Sequence, residues 1–195
     1  AVNQDAVEKH QGIGKLVGLL ESTISDKVRA EAAEALAVLA RGFQGNPNKS
    51  IQDHVSTAGG ISLLVALLHG DTAERAKESA AAALWSLATK HYNNQVAVAD
   101  ADGIAPLVAV VGICGDVAQE QAAGALAALA LDNSKNEVSI AKLTVALLGS
   151  DDKQASAKAA LAISRLARSH SSNQAAIANA GGVTLLVSLL DAKEG

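Results

Sequence analysis

One kind of segment occurs four times in this chain and constrains its fold more than any other feature. It is an Ala-rich stretch with Leu or Ile at helical spacing. Each copy has Asp, Ser or Thr near its start, where such a side chain can cap a helix by accepting a hydrogen bond from an early backbone N–H. A helix that recurs in this way predicts a repeat array, in which stacked units bury one continuous core. The copies begin at Ser25, Asp71, Gly115 and Ser150.

A second, shorter apolar segment fixes the register of the array. Its Val recurs after 48, 43, 37 and 42 residues. The underlying period of about 42 residues is typical of armadillo and HEAT repeats and is too long for ankyrin or tetratricopeptide units. The long interval contains an insertion around Gly42–Lys49, whose Gly and Pro favour a loop, and the short interval lacks about five residues. The recurring residues are Val17, Val65, Val108, Val145 and Val187.

A third segment, often beginning Asn-Gln, precedes the short apolar helix and ends in Gly or Gly-Gly. Glycine reaches φ > 0 without a Cβ clash, so this pattern predicts a sharp turn between two helices. Each unit is therefore a short helix, a Gly turn, a second helix, a loop and a long third helix. We expect a single array over 1–195, with units at about 1–45, 46–92, 93–134, 135–171 and a partial unit at 172–195.

The fourth unit lacks the Gly turn, because Ala141 runs straight into Lys142 and the next apolar segment. Either the turn is deleted, or residues are omitted from the sequence at this point. We favour the second interpretation, since losing the turn would force two helices into one rod. The chain also stops before a fifth long helix, and the ends of solenoids normally carry a polar face. We therefore expect further repeats or another protein to cover the last apolar helix.

Composition narrows the classes of protein that fit. Only 2% of the residues are aromatic and there is no Met, which suits helices packed closely through Ala and Leu. The net charge is −4 and both signs are dispersed, so there is no basic footprint for nucleic acid. No apolar run approaches the roughly 18 residues of a membrane span. The single cysteine, Cys114, excludes an internal disulfide framework. We expect a cytoplasmic protein, with organelles and the nucleus left open.

The units resemble armadillo repeats over essentially the whole chain. The resemblance rests on the pattern Asn-Gln-x-x-Ile-x-x-Ala-Gly-Gly-x-x-x-Leu-Val-x-Leu-Leu, followed by a capped helix ending Ala-Ala-x-Ala-Leu-x-x-Leu-Ala. It is closest in style to the Ala- and Gly-rich arrays of plants and protists. The resemblance implies an all-α fold, a right-handed α-solenoid (superhelix) of about four and a half repeats with three helices each. It also implies that the third helices line a concave groove that binds proteins or peptides.

The groove differs from that of the best-known peptide receptors of this family. Importin-α and β-catenin use an Asn on each third helix to bond the backbone of an extended peptide, and importin-α places a Trp one turn earlier. No matching position here carries Asn or Trp. Without a row of amides the groove cannot grip a strand repeatedly, so we expect a helix or a folded surface as the partner. The matching positions are Val38, Ser86, Ala128 and Arg165 for Asn, and Glu34, Ala82, Gly124 and Leu161 for Trp.

Twelve positions on or just after the third helices are the candidate partner-binding residues. Trp85 either packs between neighbouring third helices or anchors a partner, since Trp is frequent among interface hot spots. The cations near the helix ends either complement the helix dipole or form a basic strip for an acidic partner. Ala and Leu leave the middle of the groove apolar, which suits an amphipathic helix. The candidates are Glu34, Val38, Arg41, Ala82, Trp85, Ser86, Thr89, Lys90, Ala128, Leu131, Arg165 and Arg168.

These features predict a non-enzymatic scaffold that mediates protein–protein interaction, holding a partner or bridging the subunits of a larger assembly. We expect no cofactor and no metal, because the five histidines lack metal-ligand spacing and the sequence shows neither an acid/base pair nor a nucleophile motif. Three alternatives stay open. They are a nuclear-transport-type peptide receptor, an enzyme, and the regulatory array of a longer enzyme.

Overall fold

The protein is built from helices, as seen in a computed structural model that describes residues 12–21, 25–44, 46–69, 71–151, 153–169 and 171–191. Within these ranges the only strand-like feature is an isolated bridge between Phe43 and Asn46. The all-α solenoid is thereby confirmed. The helices are α1 (Gly12–Leu20), α2 (Asp26–Arg41), α3 (Lys49–Thr57), α4 (Gly60–Leu67), α5 (Glu74–Ala88), α6 (Tyr92–Asp100), α7 (Ile104–Ile113), α8 (Asp116–Ala130), α9 (Ser134–Leu148), α10 (Lys153–Ser169), α11 (Ser171–Asn179) and α12 (Gly182–Asp191).

The long helices α2, α5 and α8 are third helices of successive units and pack side by side. Their buried faces are mostly alanine, whose small side chains let neighbouring helices approach closely. Leucines of these helices are fully buried as well, one in α2 and two each in α5 and α8: Leu36, Leu84, Leu87, Leu126 and Leu129. The repeated Ala-rich segment is therefore the central row of the solenoid.

The recurring valines are the contact points between successive units. A Cβ added to the first glycine of the second helix would lie within 3.2 Å of the Cγ2 atom of the valine one unit earlier. Glycine is needed at this place because the neighbouring unit occupies the space of a side chain. For three of the five valines, the register predicted from the sequence is thus an observed contact, and one of these, Val145, lies within the irregular fourth unit. The pairs are Val17 with Gly60, Val65 with Gly103, and Val145 with Gly182.

Buried glutamines join the first helix of a unit to the end of its third helix. Gln52 in α3 donates through Nε2 to the carbonyl oxygens of Ser86 and Thr89, at 2.8 and 3.0 Å. Gln95 in α6 makes the equivalent bonds one unit later, to the end of α8. The last carbonyls of a helix have no partner within the helix, so these amides satisfy groups that the core would otherwise leave unbonded.

The fourth unit has one helix where the others have two. Helix α9 is continuous and contains both Ala141 and Lys142. Thr144 is buried in it and donates through Oγ1 to the carbonyl of Ile140 at 2.7 Å. The rod expected from a deleted turn is therefore accommodated in the core. Helix α10 packs mainly on α7 and α9 and less on α8, so the row of third helices is less continuous at this unit.

The prediction that Asp, Ser or Thr caps each long helix is confirmed for α2 and wrong for α5 and α8. Ser25 accepts a bond from the Val28 N–H at 3.3 Å, whereas the N-caps of α5 and α8 are Ala73 and Gly115. The reason is that the preceding unit supplies the acceptor. Asp26 accepts from the Ala73 N–H at 2.6 Å, and Glu74 accepts from the Gly115 N–H.

Among the described residues, no single helix is long and apolar enough to cross a membrane. The segments Tyr92–Asp100 and Ile104–Gly112 meet the length and composition requirement only when taken together, and they are bent by 82° at their junction. Both contribute to the core of the solenoid, for example through Val98 and Leu107.

Candidate functional site

A cleft of about 310 Å³ opens across α2, α5 and α8. Four of the twelve candidate residues line it together, which places cationic, aromatic and hydroxyl side chains at one point on the row of third helices. The two other lining residues, one from the inserted loop and one from α8, had no predicted role. The cleft is lined by Arg41, Pro47, Trp85, Ser86, Thr89 and Gln121.

The other candidates do not line this cleft. Val38 is 55% exposed on α2, and Lys90 is exposed just after α5 with a φ of 55°. Ala82 and Ala128 are buried, so they offer a partner almost no surface. The remaining candidates are Glu34 and Leu131, both partly buried, and Arg165 and Arg168, which lie in α10 with side chains outside the described part.

Trp85 packs between two third helices and also faces the cleft. A Cβ added to Gly124 of α8 would lie only 2.5 Å from Cε3 of the indole, so the ring rests against the Gly124 backbone. The packing interpretation of Trp85 is thus observed. In the sequence, Gly124 stands at a position where importin-α carries a Trp. Its contact with Trp85 was not predicted. Only the three-dimensional pairing of α5 with α8 reveals it.

The hydroxyl groups in the cleft are turned back onto their own helix. Ser86 donates through Oγ to the carbonyl of Ala82 at 3.0 Å, and Thr89 donates through Oγ1 to the carbonyl of Trp85 at 2.7 Å. The carbonyls of Ser86 and Thr89 are in turn bonded to the Gln52 amide. These groups are therefore engaged inside the protein, and other side chains must supply polar contacts to a ligand.

Two polar side chains in the cleft retain bonding capacity. Arg41 is exposed, and within the described ranges no carboxylate forms an ion pair with it. The Oε1 atom of Gln121 is buried and accepts no hydrogen bond in the part of the protein that is described. The cleft thus offers one exposed cationic donor, whereas the unbonded acceptor of Gln121 is covered by protein atoms.

The inserted loop forms one wall of the cleft. Gly42 has a φ of 70°, and a Cβ there would lie 2.0 Å from the Asn46 carbonyl oxygen, so only glycine fits. The loop returns to the helix end through a bond from the Asn48 N–H to the Ala40 carbonyl at 3.0 Å. This tight course places Pro47 in the cleft. The sequence signal was present, because the insertion follows Arg41 directly and occurs in only one unit.

Two further clefts lie away from the row formed by α2, α5 and α8 or at its edge. One of about 320 Å³ lies between α9 and α11, beside the rod that replaces two helices. The other, of about 300 Å³, lies between α1 and α2 and is mostly apolar. In the described ranges no three His, Cys, Asp or Glu side chains form a group that could hold a metal ion.

Comparison with known proteins gives matches among solved structures only. No protein-family model matches the chain, and no curated protein matches it. An engineered protein solved by the Northeast Structural Genomics Consortium is 32% identical, with a TM-score of 0.67 over 92% of this chain and 72% of the other. A designed armadillo repeat protein in complex with the peptide (KR)4 is 22% identical, with a TM-score of 0.66 over 95% of this chain and 77% of the other.

A third match has the same meaning for the fold. Computationally designed armadillo repeat proteins for modular peptide recognition are 22% identical to this chain, with a TM-score of 0.65 over 95% of it and 77% of their own length. An identity of 22% shows the fold alone, which is an armadillo-like repeat fold. The identity of 32% to the engineered protein shows more: the chain belongs to the same family as that protein.

Proposed function

We propose that this chain is a non-enzymatic scaffold that binds a protein partner on the row formed by its third helices. The observation that carries the proposal is the cleft across α2, α5 and α8, whose Arg41 and Gln121 have unused bonding capacity beside Trp85. Trp and Arg are the residues most enriched at binding hot spots. A compartment such as the cytoplasm, where a single cysteine remains a thiol, suits the one-cysteine composition.

The fold supports a binding role. Stacked repeats present an extended concave surface that few compact domains can offer. Two of the similar structures are designed armadillo proteins, one in complex with the peptide (KR)4 and one made for modular peptide recognition. Their identity to this chain is 22%, so they support a shared fold, and the residues of this chain must indicate its own ligand.

The form of the partner follows from the chemistry of the row. Ser86 lies where an extended-peptide receptor would carry an Asn, and its hydroxyl is bonded to Ala82. With its one donor engaged and only 5% of the residue exposed, Ser86 cannot make the paired donor and acceptor bonds by which an Asn amide holds the backbone of a strand. Val38, by contrast, exposes 55% of its surface on the same row. A helix or a folded surface with one apolar face therefore fits better than an extended peptide, and such a partner could be a subunit of a larger assembly.

Blocking the cleft tests this function. Binders are selected on the wild-type chain from a displayed library of amphipathic helices, and their Kd is measured on two variants. Thr89→Trp fills the cleft from a partly exposed position, whereas Ala109→Trp adds the same bulk at an exposed site on α7. We expect Thr89→Trp to weaken binding at least about tenfold, which is about 1.4 kcal/mol, and Ala109→Trp to leave it within about twofold.

Two results would contradict the proposed function. One is a library that yields no helix binding the wild type. The other is a set of binders whose affinity survives Thr89→Trp, which would place their site away from the row. Circular dichroism of each variant shows whether the helices are intact, so that loss of binding is not confused with loss of fold.

A further inference from the structure

We propose that the cleft across α2, α5 and α8 is an anchor site for a single Asp or Glu side chain of the partner. This inference rests on the proposed function and adds the chemical nature of the contact. Arg41 would bind the carboxylate, Trp85 and Pro47 would flank its methylene groups, and Gln121 would accept a nearby N–H of the partner.

The charge of the cleft favours an anion. Among the described residues, its lining contains one guanidinium and no carboxylate. Arg41 is exposed and has no carboxylate partner among the described residues, so its charge is available to a ligand. Lys90 follows Thr89 directly and is also exposed. Arginine and carboxylate form paired, charge-assisted hydrogen bonds, whereas a Lys or Arg of the ligand would meet a like charge here.

The cleft has room for a side chain of the partner, and its apolar walls suit methylene groups. A volume of about 310 Å³ lies at the small end of the range of ligand pockets, which is about 300–1,000 Å³. The indole of Trp85 is held by Gly124, so this wall is fixed before a ligand arrives. Pro47 forms part of the lining from the inserted loop. An Asp or Glu side chain presents short methylene groups to such walls and its charge to the arginine.

The free acceptor on Gln121 adds a second requirement. Its Oε1 atom is buried without a donor in the described structure, and an acceptor in that state is costly until it is bonded. Because protein atoms cover Oε1, the Gln121 side chain must turn toward the cleft before an N–H of the partner can reach it. A partner that brings such an N–H together with a carboxylate would then satisfy both Gln121 and Arg41. A residue with an ionised side chain and its own main-chain N–H has that combination of groups.

The inserted loop distinguishes this anchor from the equivalent positions in the next two units. The insertion occurs only in the first unit, and its course depends on Gly42, where a Cβ would collide with the Asn46 carbonyl oxygen. The position equivalent to Arg41 in the next unit is Thr89, and in the third unit it is Leu131. Neither can bind a carboxylate as a cation does, so within the first three units the recognition of an acidic side chain is confined to one place. The fourth unit carries Arg168 at the equivalent position.

The test compares three blocked octapeptides, (DE)4, (NQ)4 and (KR)4, at low ionic strength. Binding is followed by the fluorescence of Trp85, which is the only Trp in the chain and therefore reports on this cleft, and by the anisotropy of a labelled peptide. We expect (DE)4 to bind at least about tenfold more tightly than (KR)4, with (NQ)4 between them, because a close charge pair is worth about this much.

Point variants show which side chains are responsible for the binding of (DE)4. Arg41→Gln should weaken (DE)4 by about tenfold, whereas Lys135→Gln removes the same charge from an exposed site on α9 and should change affinity by less than about twofold. Gln121→Leu keeps the volume and removes the acceptor, so it should weaken (DE)4 by about threefold.

Three results would overturn the acidic anchor. They are equal or tighter binding of (KR)4, an Arg41→Gln effect no larger than that of Lys135→Gln, and the absence of any (DE)4 binding up to millimolar concentration. None of these contradicts the scaffold itself if the selected helices still bind and are lost in Thr89→Trp. If (DE)4 still binds but the selection yields no helix, the acidic anchor is supported and the proposed binding of a helix is contradicted.

Discussion

Trp85 shows how one residue can depend on a residue that has no side chain. Its indole rests on Gly124, at a distance where even a Cβ atom would lie 2.5 Å from the ring. In an ordinary helix position glycine costs about 1 kcal/mol relative to alanine. Gly124 is kept in the middle of α8 because the neighbouring helix places its largest side chain there, and this contact holds one wall of the cleft in position.

Gly124→Ala should displace the indole. Overpacking costs about 1–3 kcal/mol, which cancels or exceeds the gain of about 1 kcal/mol in helix propensity. We therefore expect an unfolding midpoint no higher than that of the wild type, together with a shifted emission of Trp85. Gly18→Ala is the matched control, because its added Cβ would have nothing within 4 Å, and it should raise the midpoint. Unchanged Trp85 emission in Gly124→Ala would contradict the contact.

At the scale of the helical elements, buried asparagines connect successive units. Asn94 donates through Nδ2 to the Gln52 carbonyl of the preceding first helix at 3.3 Å and to the Leu87 carbonyl of the preceding third helix at 3.0 Å. Asn136 repeats this pattern one unit later, with the carbonyls of Gln95 and Leu129. One amide thus ties together three helices, which explains why Asn and Gln recur at the start of the units.

Asn94→Asp keeps the shape and removes the donor. The new carboxylate would face two carbonyl oxygens in a place where Asn94 is 1% exposed, so we expect a loss of about 3 kcal/mol or more. For a chain of this size that lowers the melting temperature by about 6–12 °C. Asn93→Asp makes the same exchange one residue earlier at an exposed site, and its effect should stay within about 0.5 kcal/mol. Similar melting temperatures for the two variants would contradict the role of Asn94.

At the scale of the whole molecule, the long helices are also linked through their first residues. Asp26, the first residue of α2, accepts from the N–H of Ala73 before α5, and Glu74, the first residue of α5, accepts from the N–H of Gly115 before α8. The Ala73 N–H is the main cause that lowers the pKa of Asp26 below its usual value of 3.8, and the bond from Arg29 adds to it. The contact between the first two units is therefore coupled to the ionisation of Asp26.

The lowered pKa of Asp26 predicts how stability depends on pH. A carboxyl whose pKa is lower in the folded chain stabilises the fold above its unfolded pKa, and this contribution is lost as the pH falls through the folded value. Asp26→Asn should therefore lower the denaturation midpoint at pH 7, and the difference from the wild type should shrink below about pH 4. Asp100→Asn removes an equivalent charge from an exposed site and should not reproduce this pattern. A difference that stays constant between pH 7 and pH 3 would contradict it.

The repeat architecture could be predicted from particular residues. Three of the five valines at a period near 42 residues proved to contact the next unit. Three of the four Ala-rich segments proved to form the central row, with Leu126 fully buried as its register requires. The N-caps of α5 and α8 could not be predicted, because the acceptors for the N–H groups of Ala73 and Gly115 come from the preceding unit, 47 and 41 residues away. The unit boundaries remain a prediction.

The candidate site was predicted in part. Arg41, Trp85, Ser86 and Thr89 were identified on the third helices, and the structure brings all four to one cleft. Pro47 and Gln121 line the same cleft without a predicted role, and Ala82 and Ala128 proved to be buried. Local periodicity indicates which face of a helix is apolar. It does not indicate how much of that face a neighbouring helix covers.

The sequence by itself determined the class of fold and the identity of the packed faces, because helical periodicity and the spacing of the units are local properties of the chain. Tertiary structure alone decided where the surface is open. Whether a hydroxyl, a guanidinium or an amide is available to a partner depends on the groups that the folded chain places within about 3 Å of it. Those groups come from other helices, as Gly124 of α8 and Gln52 of α3 show for the cleft beside Trp85.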